Sequence, residues 1–122
     1  MKSLLDTCVL TELGKDYGNP LVKAAVADIA AVNLYLIVLT VVEIVKGVAL
    51  LAAGRRKTLL GTWPARVEDQ YADRILGIDV DTARPWGEIT ARAQKSRIVI
   101  PSVDGLLAAT ALRDGLHIMI NN

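Results

Sequence analysis

Residues 29–53 read IAAVNLYLIVLTVVEIVKGVALLAA, and the fold turns on whether this run is one element or two. As a single helix it is long enough to cross a bilayer, which takes about 20 apolar residues. Asn33, Glu43 and Lys46 interrupt it, and charges in mid-span are costly. Its two halves also differ in texture. LYLIVL is short and rich in β-branched and aromatic residues, as a buried strand is. TVVEIVKGVALLAAG opens on Thr40, carries Glu43 three residues later and stops at Gly54. That pattern predicts a helix with a capping box at its start and a glycine at its end. A strand followed by a helix, with no membrane span, is the reading that the rest of the chain extends.

On the N-terminal side, KSLLD predicts a strand that turns at Asp6, and TCVLTELGK a short helix ending near Gly14. After the turn cluster DYGNP, the run PLVKAAVADIAAV predicts a helix with proline in its first turn. On the C-terminal side, RRKTLLGTWPARVEDQYADRI predicts two helical pieces broken near Gly61–Pro64, and ILGID a third strand. VDTARPWGEITARAQKSR predicts a helix with Pro85 in its first turn. IVIPS leads into a helix over 103–114 ended by Gly115, and LHIMI is the final strand. Strands alternating with helices predict a three-layer α/β/α sandwich around a central, mainly parallel sheet. With no repeat, linker or low-complexity tract, residues 1–122 read as one domain.

Composition agrees. The chain is 52% hydrophobic with no Phe, and an Ala/Val/Ile/Leu core suits strands buried on both faces. A net charge of +1 supplies no global field for nucleic acid, so a polyanion would have to meet a local patch. Cys8 is the only cysteine and His117 the only histidine, which excludes an intramolecular disulfide and a multi-histidine metal site. MKSLLDTCVL lacks the apolar run of a secretory signal, so a cytoplasmic location is expected.

PSVDGLLAATAL, residues 101–112, sets one carboxylate, Asp104, at the front of an apolar helix. Asp6 follows the first strand, and Glu43 lies one turn into the helix after the second. In an open parallel sheet such junctions gather at the carboxyl edge, where ligands bind. Each acid has an ordinary reading. Asp6 serves as an N-cap, Glu43 closes a capping box with Thr40, and Asp104 complements the helix dipole behind a Ser102 cap. Taken together, converging carboxylates repel one another near a partly buried rim, and a divalent cation removes that conflict. All-oxygen ligands suit Mg²⁺ or Mn²⁺, ions that polarise phosphodiesters and acidify water.

LLDTCVLTEL, LYLIVLTVVEIVKGV, RILGIDVDTARPWGEITA and VDGLLAATAL resemble, in order and through nearly the whole chain, the segments of PIN-domain nucleases. The resemblance is closest to the VapC and FitB toxins of bacterial type II toxin–antitoxin pairs. It implies a metal-dependent endoribonuclease in which Asp6, Glu43 and Asp104 match the acids around Mg²⁺ or Mn²⁺. Thr7 matches the small hydroxyl residue beside the first acid. It further implies an RNA substrate, a homodimer and a cognate antitoxin whose tail occupies the acidic groove. DNA is reached only through that antitoxin. Some positions depart from the pattern: Cys8 stands where Asn is frequent, and Val45 where many relatives carry Arg. The final strand reads Ile120, Asn121, Asn122 in place of Thr-Arg-Asn, and the acid that follows is absent, so the domain reads as C-terminally truncated relative to the family. The alternative implied by that loss is a degenerate, catalytically weak PIN domain that serves as an antitoxin-binding module.

Two short basic groups, Arg55–Arg56–Lys57 and Arg92/Lys95/Arg97, are either solvated surface or phosphate contacts beside the acidic rim. Trp63, Trp86, Tyr71, Tyr17 and Tyr35 read first as core or interface residues and second as base-stacking surfaces. His117 reads as an edge or structural histidine. The apolar helices at 20–32 and 41–53 carry surplus hydrophobic surface suited to a second copy or an antitoxin helix.

Overall fold

A computed structural model describes residues 1–120. Four strands, β1 (Ser3–Leu5), β2 (Leu34–Ile37), β3 (Ile75–Leu76) and β4 (His117–Met119), form one sheet in the order β3-β2-β1-β4. Every pairing is parallel, so the expected mainly parallel sheet is wholly so. The helices are α1 (Thr7–Gly14), α2 (Pro20–Ala27), α3 (Val38–Ala49), α4 (Arg55–Leu60), α5 (Trp63–Gln70), α6 (Val80–Lys95) and α7 (Ser102–Asp114).

The strand period of two divides the core. Leu5, Leu34 and Leu36 face one side, where Val9 and Leu10 of α1, Val26 of α2, Ile44 of α3 and Val67 of α5 cover them. Leu4 and Ile37 face the other side, under Leu106 and Leu107 of α7 and Trp86 of α6. Leu4, Leu5, Leu36 and Ile37 are completely buried, each contributing about 1.5–3 kcal/mol of transfer free energy. The result is the expected three-layer sandwich. Among the described residues no helix is long and apolar enough to cross a membrane.

The run at 29–53 divides as read, but its boundary moves. The second strand stops at Ile37, two residues short of the expected end, and α3 begins at Val38. Thr40 therefore lies inside the helix, completely buried, its hydroxyl without a partner. No side chain caps α3, so the Thr40–Glu43 capping box does not form. Because α3 starts at Val38, Thr40 is not at its cap position, and Glu43 is left to a tertiary partner. The helix ends at Ala49, and Gly54, at φ +151°, instead precedes α4. Three other expectations shift. The helix at 20–32 ends at Ala27 and is followed by a 3₁₀ turn, Ala31–Asn33. Pro85 sits in the second turn of α6. Pro101, not Ser102, occupies the cap position of α7.

The α6–α7 pair seats Asp104. Asp79 caps α6 by accepting from the Thr82 amide and hydroxyl, both at 3.0 Å. Arg113 of α7 donates to Asp79 at 3.3 Å and to the Thr82 hydroxyl, locking the far end of the pair. Near Asp104, a Cβ built on Gly105 would stand 2.8 Å from Trp86 Nε1, so only glycine lets the indole pack here.

α6 ends in a Schellman turn: Arg97 N–H donates to Gln94 O at 3.0 Å and Ile98 N–H to Ala93 O at 2.8 Å. The left-handed position, usually glycine, is held by Arg97 at φ +60°. An L side chain there costs about 1 kcal/mol. Arg97→Gly should therefore raise stability by about that amount, seen as a higher urea midpoint at unchanged slope. A lower midpoint would show that the arginine side chain contributes more than its backbone strain costs.

Candidate active site

Parallel pairing sends β1, β2 and β4 in one direction, so the residues after Leu5, Ile37 and Met119 emerge at the same edge. Asp6 leaves β1 there. Its amide donates to Met119 O at 3.1 Å, and its Oδ1 accepts from Val9 N at 2.8 Å as the N-cap of α1. The ordinary capping role is thus real, and it fixes the carboxylate at the rim.

Thr7 opens α1, and its hydroxyl donates to Glu43 Oε1 in a close contact between α1 and α3. Glu43, freed from any capping box, is oriented by a residue distant in sequence. Asp104 lies exposed in the first turn of α7. Asp6, Glu43 and Asp104 all lie near enough to Cys8 to act on it electrostatically. Its thiol, although exposed, is held above the ordinary cysteine value, first by partial loss of hydration and then by the negative charges of Asp6, Glu43, Asp104 and Glu12. Carboxylates from the N-cap of α1, from α3 and from α7 therefore act on one point at the carboxyl edge. Asn121 and Asn122, which follow β4, lie outside the described residues.

The donor set is carboxylate and hydroxyl oxygen, the chemistry of a hard divalent cation. Among the described residues, no group of three or more His, Cys, Asp or Glu side chains is gathered to hold a metal ion. Mg²⁺ needs no such cage, because it keeps several waters and takes one or two carboxylates. The residues present fit an ion of that kind at an open rim.

The basic residues divide. Lys57 donates to Ala49 O at 3.1 Å and finishes α3. Arg55 and Arg56 instead line an open cavity of about 770 Å³ with Lys15, Tyr17 and Arg66. Lys15 and Arg66 were not legible as part of this group, because they come from other helices. Arg92, Lys95 and Arg97 are exposed at the end of α6. Trp63, Trp86 and Tyr71 pack against the core as expected, and Tyr35 is half-buried under Lys2. Tyr17, expected first as a core or interface residue, is not in the core: it is fully exposed. His117 lies on the edge strand β4.

Convergence of the acids is testable without any metal. In metal-free protein, Asp104→Asn or Glu43→Gln should lower the Cys8 pKa, because one negative charge beside the thiolate is removed. The thiolate fraction at a given pH then rises, and alkylation by iodoacetamide should reach half its limiting rate at lower pH. An unchanged profile in both variants would separate the acids from Cys8.

Residues 3–122 match the PIN domain family. The chain is 34% identical to the VapC ribonuclease Y4jK of Sinorhizobium fredii, over 94% of this chain and 83% of that protein. It is 34% identical to toxin FitB of Neisseria gonorrhoeae, over 94% and 84%. The crystal structure of FitAcB from Neisseria gonorrhoeae superposes with a TM-score of 0.87 at 31% identity, over 98% of this chain and 87% of that one. The strand order and these likenesses agree, and the chain belongs to the PIN-domain family, alongside relatives of VapC and FitB type.

Proposed function

We propose that this chain is a divalent-metal-dependent endoribonuclease, the toxin of a toxin–antitoxin pair. The observation that carries the reading is geometric: parallel pairing and the Thr7–Glu43 hydrogen bond bring Asp6 and Glu43 to one edge of the sheet, and Asp104 stands exposed in the first turn of α7. Carboxylate and hydroxyl oxygens at one open rim suit a hydrated divalent cation, which takes one or two carboxylates and keeps several waters. The ribonuclease assignment of the Sinorhizobium relative supports RNA as the substrate.

In this reading Asp6 and Asp104 hold Mg²⁺ or Mn²⁺, and Glu43 completes the cluster directly or through water. The ion, when bound, supplies Lewis acidity and a water acidified toward neutral pH. Asp6 keeps one orientation because Val9 N–H holds its Oδ1. Thr7 keeps Glu43 aimed across the gap between α1 and α3. The open edge admits a phosphodiester for in-line attack. A cognate antitoxin would bind this chain and carry any DNA contact. Exposed Leu21, Val42, Val45 and Leu50 on α2 and α3 and just beyond α3 offer apolar surface for a homodimer or that antitoxin. A cytoplasmic setting accords with an RNA target.

The purified chain should cleave a mixed RNA substrate in Mg²⁺ or Mn²⁺, and a chelator should stop it. Asp104→Asn should lower the rate by about two orders of magnitude, since losing even an outer-shell partner of a metal ligand costs ~10–100-fold. In parallel, Mn²⁺ at 100 times its Kd should stabilise the wild-type fold by about 2.7 kcal/mol, an effect lost in Asp6→Asn. Absence of both cleavage and metal stabilisation in a folded chain would remove the nuclease reading. It would leave a PIN domain that serves only to bind a partner.

A further inference from the structure

We infer that the cleft between the end of α1 and helices α4 and α5 binds single-stranded RNA. Arg55, Arg56 and Arg66 take backbone phosphates there, and Tyr17 stacks on a base. The inference rests on the RNA reading above and extends it to a surface away from the acids.

The charge balance of the cleft points to a polyanion. Four cations, Lys15, Arg55, Arg56 and Arg66, line it against one acid, Asp16. Lys15 is committed to Glu12 at 3.2 Å. The ion pairs found among the described residues involve Lys15, Arg74 and Arg113, and none includes Arg55, Arg56 or Arg66. Three exposed guanidinium groups thus face one cavity without a carboxylate partner. Their planar forks match phosphate geometry better than ammonium groups do. With a net charge of only +1, this concentration is local.

Tyr17 supplies the second element. It is fully exposed although its ring is large and apolar, and it stands on the cavity wall beside the arginines. An aromatic face beside a basic groove is how single strands are held without sequence readout.

Position connects the cleft to the acids. α1 begins with Thr7, hydrogen-bonded to Glu43, and ends with Gly14 on the cavity wall. Eight helical residues span about 12 Å. A smaller depression of about 70 Å³ extends the cleft back along α1 to Thr11, one turn from Thr7. A strand crossing the rim can follow α1 into the cleft, within the ~4–16 nucleotides that single-strand binders cover.

The test is binding of a fluorescent single-stranded RNA oligonucleotide to the full chain, with chelator present to prevent cleavage, across a salt series. Arg55→Ala/Arg56→Ala/Arg66→Ala should weaken binding and reduce the slope of log K against log salt by about 2, from about 0.7 per phosphate contact. Tyr17→Ala should weaken binding about tenfold with the slope unchanged. Ultraviolet crosslinking of the unaltered chain to a 4-thiouridine RNA should label the Tyr17 or α4 peptide, a readout that does not depend on a variant folding. Unchanged affinity and slope in the folded triple variant, with crosslinks only elsewhere, would overturn the inference. So would a triple variant that keeps RNA but releases a co-expressed protein partner, since the cleft would then dock protein. If cleavage fails while the salt-slope change and crosslink stand, the nuclease reading falls and the RNA cleft remains.

Discussion

Parallel hydrogen bonding of β1 to both β2 and β4 is the constraint on which the site depends. Helices cover both faces of this central strand, and Leu4 and Leu5, which point to opposite sides, are completely buried. Parallel neighbours also require crossover helices, which here cover the sheet on both sides. The same pairing brings the exits of β1 and β2 together at the carboxyl edge. Asp6 is therefore placed by the sheet itself, its amide tied to Met119 of the neighbouring strand.

Capping and presentation of a carboxylate at the rim do not compete. Asp6 is an N-cap in full, and the hydrogen bond from Val9 that makes it one also holds its carboxylate at the edge. Glu43 shows the reverse. The local partner offered by sequence, Thr40, is drawn into the core, and the glutamate is oriented instead by Thr7 on another helix. An acid oriented from a neighbouring element is coupled to the packing between those elements. The α1–α3 contact thus belongs to the site as much as to the fold. Asp104 is placed a third way, by close packing of α6 on α7, where Gly105 leaves room for the Trp86 ring.

The surface is divided in character along α1. Its first turn lies among carboxylates, and its far end opens onto a cluster of guanidinium groups. A chain close to neutral overall can therefore present opposite fields about one short helix apart. The low net charge conceals this polarity, because charges of opposite sign cancel in the sum but not in space.

Much of the architecture was legible in the chain itself. Strand and helix periods differ, so the run at 29–53 divided into two elements, and Asp6, Glu43 and Asp104 stood out at their junctions. These features are local, set by side-chain spacing and by the conformational limits of glycine and proline. Tertiary structure decided what local rules could not. The helix of that run starts at Val38, which carries Thr40 into the interior and away from the cap position that local spacing offered. Arg55, Arg56, Arg66 and Tyr17 share a cavity only because α1, α4 and α5 pack as they do. No spacing in the sequence encodes that meeting, which arises when distant segments bury their apolar faces against one sheet.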